Sequence, residues 1–315
     1  MATPPVPSPL WPETAAALSE HSALLRALGG PPKPVPEIAA RLSRPAESLA
    51  QTLRAWKSAG LPLRAGPAGW SWHPECPVAD LPQTSLGAVT GYLPSCASTQ
   101  DLLAELARRG APHGSLILSE AQTAGRGRLG RRWVARAGEG LYLSLLLRPP
   151  LPAPPPVLSL MAAVALQESC GLGSLKWPND LLDPSGKKLA GILLEARWSG
   201  ELDFLLIGIG VNVRAGSWPD GAAAVGAWRW VNRARLLRSL LESLECWWGK
   251  PPEAVLRRWW ELSAHRGKPV ALRRAGVLLT GLADGLEPDG SLRVIGANGT
   301  ARISAGEVAW IGGLE

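Results

Sequence analysis

The stretch GRGRLGRRW, residues 125–133, puts four arginines and three glycines into nine positions and ends on a tryptophan. Glycine lets a backbone approach a ligand closely. Arginine presents forked donors that suit carboxylate and phosphate. Such a segment suits an anion, although by itself it is equally readable as a solvated basic loop. Its first six letters fit G-x-G-x-x-G, which serves a dinucleotide only where it follows a strand and opens a helix. The residues beyond the glycines have no apolar 3.6 period and run into a strand at Leu141, so a Rossmann site is excluded. A Walker phosphate loop is excluded too, because no Lys-Ser or Lys-Thr follows.

Four further segments carry groups able to do chemistry: STQDLL (98–103), KWPND (176–180), KKLAGILLE (187–195) and GIGVNV (208–213). Lys188 is a point charge that carboxylate and phosphate can share. Asp180, after Pro178 and Asn179, can orient or deprotonate an amine, or simply cap a turn. Lys176 and Lys187 read equally well as surface charges, and Trp177 as packing.

The elements that must position these groups fall into three parts. Residues 1–12 are proline-rich, a composition that favours disorder. Between 13 and 73, apolar spacing predicts a helix ending at Gly29-Gly30, a second over 36–42, and a third over 45–59 with Ser43 as its cap. Two short strands follow in 61–73. Three helices and a ribbon describe a winged helix-turn-helix. Its third helix would present Ser48, Gln51, Arg54 and Lys57, with Glu47 among them, so DNA binding and a purely structural cap both stand open. Residues 73–84 read as a polar linker. Over 85–264 helices (99–109, 157–170, 233–248, 253–264) alternate with strands (115–119, 141–148, 190–198, 204–213) in a mixed α/β domain. The pairs Trp247-Trp248 and Trp259-Trp260 are expected to bury one ring and expose the other. Residues 265–315 hold five short strands with hairpin signals at Asp289-Gly290 and Asn298-Gly299, the pattern of a small SH3-like β-barrel.

The 315 residues carry a formal charge of +7, and 46% of them are apolar, an ordinary globular composition. Arg126, Arg128, Arg131, Arg132 and Arg136 follow one another with no acid between them. The basic excess is therefore concentrated at one loop, not spread over a nucleic-acid-binding face. No secretory signal pattern and no long apolar run is present, so a cytoplasmic location without membrane association is expected. Cys76, Cys96, Cys170 and Cys246 lie far apart, as do the four histidines. Neither a zinc site nor a disulfide framework follows, and the thiols are expected free and buried.

In order and interval, these five segments (the loop taken from Glu120 to Trp133) closely resemble the biotin–protein ligases. The likeness is greatest to the bifunctional bacterial form that is both ligase and biotin-operon repressor. The resemblance spans essentially the whole chain and is loosest at the N-terminus. It implies an α/β (α+β) mixed-sheet catalytic domain of the biotin/lipoate ligase kind, between an N-terminal winged helix-turn-helix and the C-terminal SH3-like barrel. It implies ATP and biotin as substrates with Mg²⁺ assisting, biotinyl-5′-AMP as intermediate, and a lysine of a biotin carboxyl carrier protein as acceptor. Operator DNA and a second copy of the chain, as a homodimer, are the other implied partners. Biotin would be held by Ser98, Thr99, Gln100, Gln122, Arg126, Gly127, Arg128 and Lys188, with Gly191 and Gly210 making room. Trp133 would cover the adenine, with Arg128, Asn179, Lys188 and Asn212 on the nucleotide; Lys188, Arg126 and Asp180 would carry the chemistry. Gln100 stands where the resembled motif has asparagine, and its extra methylene moves the amide. A lipoate- or octanoate-type ligase and a non-catalytic biotin-sensing repressor are the alternatives. The Arg/Gly loop ending in Trp133 favours biotin over lipoate, and Arg126, Arg128, Lys188 and Asp180 favour retained catalysis.

Overall fold

The computed structural model describes residues 15–274, 277–297, 299–304 and 308–310; the reading of residues 1–12 lies outside them. Helices α1 (Ala15–Ala27), α2 (Val35–Arg41) and α3 (Ala46–Ser58) precede a two-stranded antiparallel ribbon, β1 (Leu63–Gly66) and β2 (Gly69–Trp72). Leu49, Leu53 and Trp56 recur at helical spacing on α3 and are buried against Leu24, Leu25, Leu28 and Ile38. Ser43 does not cap α3. Its φ of 52° puts it in the left-handed region, where Arg44 N–H donates to Ala39 O at 3.0 Å and closes α2. Pro45 takes the capping position without a side-chain bond.

The expected linker is packed rather than free. Within 73–84 a short 3₁₀ turn, Pro77–Asp80, buries Pro77 and Val78. Asp80 accepts from Arg238 Nη1 at 2.5 Å, and Glu245 accepts from the Ser85 and Leu86 N–H groups at 3.1 Å each.

The middle of the chain forms a seven-stranded mixed sheet: β3 (Val89–Leu93), β4 (Ser115–Ser119), β5 (Gly140–Leu147), β6 (Ser174–Lys176), β7 (Asp180–Leu182), β8 (Lys188–Ser199) and β9 (Glu201–Asn212). Their spatial order is β3-β4-β5-β9-β8-β7-β6. Only β3 and β4 run parallel. A parallel pair needs a crossover, here α4 (Thr99–Arg108). Alternation along the strands separates the faces: Leu146 and Leu206 pack with Leu103 of α4, whereas Leu145, Leu147 and Ile207 join the core of α5 (Pro155–Cys170) and α6 (Arg233–Trp248). Helix α7 (Pro252–Glu261) packs on α5. Of the paired tryptophans, Trp259 is fully buried and the other three are half-buried, so none is exposed. Trp247 Nε1 donates to Glu168, and the Trp248 ring lies 5.2 Å from that of His113. Cys246 corrects the expectation of buried thiols. Two residues past buried Leu244, it turns to the solvent side of α6; the other three cysteines are buried.

A polar cluster joins the first two parts. Glu120, at the end of β4, accepts from Tyr92 Oη, from Gly138 N at 2.9 Å and from Arg233 Nη1 at 2.6 Å. Tyr92 N–H donates to Nε2 of His21 on α1 at 3.4 Å.

The C-terminal strands β10 (Pro269–Arg274), β11 (Val277–Leu286), β12 (Leu292–Gly296), β13 (Gly299–Ile303) and β14 (Val308–Trp310) pair antiparallel in the order β13-β12-β11-β10-β14. Of the two expected turns, Asp289-Gly290 joins β11 to β12, and Asn298 lies outside the described residues. No helix among the described residues is long and apolar enough to cross a membrane.

Candidate functional site

The Arg/Gly segment leaves β4 and returns as β5 by folding on itself. Gln122 bridges Ala135 and Arg126 bridges Arg132, both antiparallel, while Trp133 N–H donates to Gly125 O at 2.8 Å. A Cβ on Gly125 would lie 2.7 Å from Trp133 O, so glycine is what lets the two arms meet. The tip is a 3₁₀ turn, Arg128–Gly130, with Leu129 in the left-handed region at φ 56°. Sequence reading gives a yielding loop; the structure gives a short ladder.

This ladder roofs a cavity of about 340 Å³ whose floor is the α4 side of the sheet. Register puts Gly191 of β8 beside Gly210 of β9, and Leu193 beside Gly208. Ser144 of β5 lies on the far side of Gly208. Glycines at these positions leave the floor flat, and in this conformation the Trp133 indole fills part of that room. A Cβ on Gly210 would lie 2.5 Å from Trp133 Cε2, and one on Gly191 would lie 2.9 Å from Lys188 Cε. The indole Nε1 is buried without a hydrogen-bond partner.

All fourteen catalytic-domain residues singled out from the sequence line this cavity, from Ser98 at the cap of α4 to Asn212 on β9. Six basic side chains line it (Arg126, Arg128, Arg131, Arg132, Lys176 and Lys188), against the carboxylates Asp180 and Asp220. That imbalance makes it an anion site. Arg126 is already engaged: its guanidinium meets Asp101 at 2.5 Å and Glu195 at 3.4 Å. The hydrogen bond to Asp101 holds it above the ordinary arginine value. Arg128 donates to Asn179 Oδ1 at 3.3 Å, and Asn179 Nδ2 to Ile192 O at 2.7 Å. Lys188 Nζ lies 2.7 Å from Asp180 Oδ1 and 5.4 Å from the Trp133 ring centroid. Buried Asn212 donates to Ala223 O at 2.9 Å, which anchors the loop carrying Trp218 and Asp220. Trp177 is buried and donates from Nε1 to Gly290 O at 3.1 Å.

A second polar group underlies Thr99. Its N–H donates to Gln122 Oε1 at 2.9 Å, and its hydroxyl lies 2.9 Å from Ser144 Oγ. Ser144 in turn donates to Gln100 Oε1 at 2.9 Å, and Gln100 Nε2 donates to Leu193 O at 3.2 Å. Sequence reasoning missed Ser144, Gly208, Trp218 and Asp220. The one signal for the first two was a lone serine in an apolar strand and the Gly-x-Gly alternation of 208–210. The four residues proposed for DNA, Ser48, Gln51, Arg54 and Lys57, are all exposed on α3, far along the chain from the cavity.

Comparison with known proteins places this geometry. Residues 92–212 match the model of the biotin/lipoate A/B protein ligase family, and 265–309 match the biotin protein ligase C-terminal domain. The bifunctional ligase/repressor BirA of Bacillus subtilis is 44% identical over 37% of this chain; the matched stretch spans 38% of that relative's length. The biotin–[acetyl-CoA-carboxylase] ligase of Paracoccus denitrificans is 34% identical over 61% of this chain and 88% of its own. A structure of biotin protein ligase from Aquifex aeolicus, in complex with biotin and ATP, superposes with a TM-score of 0.56 at 30% identity. It covers 70% of this chain and 97% of that one. With a family model over the cavity, a second over the small sheet and a relative matched over most of its length, the chain belongs to the biotin protein ligases of the biotin/lipoate A/B protein ligase family.

Proposed function

We propose that this protein is an ATP-dependent biotin–[biotin carboxyl carrier protein] ligase. The observation that carries the reading is the anion-selective cavity, in which the basic ladder, Lys188 and Asp180 converge over a glycine floor. The biotin carboxylate attacks the α-phosphorus of ATP, a P–O bond forms, and pyrophosphate leaves with the electrons of the broken bond. Two like charges 4 Å apart in a partly screened site repel by about 4 kcal/mol. Lys188, released from Asp180, and Arg126, released from Asp101 and Glu195, offset that repulsion and stabilise the charge developing in transfer. Ser98, Thr99, Gln122, Gly127 and Arg128 hold the biotin end, and Trp133, Asn179 and Asn212 the nucleotide. In the second step the carrier lysine amine attacks the acyl carbon and AMP leaves. Asp180, freed once Lys188 turns to the anions, orients the amine and takes its proton. The roof shields the mixed anhydride from water between steps. Among the described residues no cluster of three His, Cys, Asp or Glu is placed to cage a metal; Mg²⁺ would enter on the triphosphate.

The reading extends to three parts: 13–73 a winged helix-turn-helix, 85–264 the catalytic domain, and 265–315 an SH3-like barrel. The exposed Arg54 and Lys57 of α3, and the repressor in the name of the Bacillus relative, support operator binding. Homodimerisation is supported by β8, whose edge away from β9, from Leu194 to Ser199, runs past the end of β7 and faces no strand among the described residues. The deciding experiment incubates the protein with ATP, Mg²⁺, biotin and a carrier domain. A biotinyl mass adduct on the carrier is expected, and absence of both adduct and adenylate refutes the assignment. Gel mobility shift at low salt tests the DNA role, and sedimentation tests the dimer.

A further inference from the structure

The chain Gln122–Thr99–Ser144–Gln100, buried but for half-buried Gln122, has a fixed count of protons. Its two ends are amide oxygens whose orientation is locked. Flipping Gln100 would set two acceptors face to face at Leu193 O, and flipping Gln122 would set two donors face to face at Thr99 N. Between those ends lie two hydroxyls, each with one proton, and three oxygen–oxygen gaps of 3.2, 2.9 and 2.9 Å. Two protons cannot fill three gaps. The long gap goes unfilled, because leaving either 2.9 Å gap without a proton would press two oxygen lone pairs together at the shorter distance. Thr99 therefore donates inward to Ser144, and Ser144 to Gln100. Both hydroxyl protons are thereby spent within the chain and none is left to donate to a ligand, whereas Thr99 Oγ1 and Gln122 Oε1 each keep a lone pair to accept from one.

We propose that Gln100 and Ser144 are positioning residues that fix this direction, so that the Thr99 end of the cavity selects an acid whose head group carries N–H donors. This rests on the assignment of biotin, whose cyclic urea is such a head. A dithiolane or alkyl head brings no donor and would cover these lone pairs without replacing the water they bond, which costs affinity. Gln100 serves because it is long. It reaches both Ser144 and Leu193 across Gly208, where a Cβ would lie 2.5 Å from its Oε1. Thr99, Gln100 and Ser144 are each no more than 4% exposed, so water does not scramble the arrangement.

The consequences differ for the two residues. In Ser144→Ala the Thr99 hydroxyl loses its inward acceptor and turns to Gln122 Oε1, consuming one of the two acceptors. In Gln100→Met the Ser144 proton turns back onto Thr99 and the polarity reverses. The test is calorimetry of the intact protein with biotin and with lipoate, alongside adenylation kinetics and melting temperature. Both variants are expected to weaken biotin roughly three- to tenfold, the worth of one hydrogen bond. KM for biotin rises, kcat stays within about twofold, and lipoate binding does not weaken. Equal losses for the two acids, a fall in kcat without a change in KM, or unchanged biotin binding each overturn the proposal. If Gln100→Met does not fold, Ser144→Ala decides alone. Wild-type protein that fails to bind biotin refutes the ligase assignment itself, an outcome separate from any difference between variants.

Discussion

Gly210→Ala is the sharpest single perturbation of the site. The added methyl would lie 2.5 Å from Trp133 Cε2 and 2.7 Å from Cζ2 and Nε1. Non-bonded carbons settle about 3.5–4.0 Å apart, so about 1 Å of separation has to be found. The strand cannot give it: β9 is bonded along its length to β5 on one side and β8 on the other. Nor can the residue simply withdraw, since its backbone N–H is bonded to Gly125 O at 2.8 Å. The ring must swing off the floor. A misplacement of about 1 Å near reacting groups costs about 100-fold in rate. The expected result is therefore a fall of that order in kcat/KM for ATP, read by pyrophosphate release, with a stability cost of about 1–3 kcal/mol at most if the ring is trapped. Gly191→Ala is the comparison. Its methyl meets the movable Cε and Nζ of Lys188 at 2.9 and 3.0 Å, and the ring only at 3.2 Å, so its effect on ATP should be smaller. Near-normal kcat/KM in Gly210→Ala, with an unchanged melting temperature, would show that the seat of Trp133 on Gly210 plays no part in the working enzyme.

Other expectations follow from the same contacts. Lys188→Ala should slow adenylate formation by orders of magnitude, whereas Asp180→Asn should spare it and slow transfer to the carrier; single-turnover assays of each step separate the two, and equal loss in both steps would refute the division of roles. Arg233→Met leaves Glu120 without its 2.6 Å partner at a site where each side chain is 8% exposed. Breaking such a buried pair costs about 3–5 kcal/mol, measurable by urea unfolding; a loss under about 1 kcal/mol would count against it. Burial holds the His21 and His265 imidazoles down to about 4, against an ordinary 6.5. The unfolded chain then takes up protons that the folded one refuses, so stability is full above pH 6.5 and is lost as pH falls toward 4. At pH 5.5 each histidine should cost about 1.4 kcal/mol. Melting curves from pH 7.5 to 5 check the slope, which His21→Gln should flatten; an unchanged slope would remove His21 from the account.

Much of this was legible because chemistry and periodicity are local. The helices α1 to α7 announced themselves through apolar spacing, and the five C-terminal strands through their turns. What escaped depended on partners distant in sequence. Strand β3 was hidden because its pairing with β4 is made across α4. The β6–β7 hairpin was hidden because three-residue strands carry no readable alternation. Ser43 has the chemistry of a helix cap, yet the left-handed closure of α2 claims it first. In the site, charge and glycine content marked the roof, while the floor went partly unread. A single serine in LYLSLLLR means nothing until strand register sets it between Thr99 and Gln100. The same register explains why Gln100 can stand where the resembled motif has asparagine: Gly208 lies beneath it.

One contact changes how the last part of the chain should be regarded. The indole of Trp177, one residue before Pro178 and so at the root of the turn bearing Asn179 and Asp180, is fastened to the carbonyl of Gly290 in the β11–β12 turn. Clip away the small sheet, and a buried donor loses its acceptor directly behind Asn179 and Asp180. A shortened protein would thus be no trimmed version of the same molecule, because the keystone of the corner proposed to receive the amine comes from beyond residue 265.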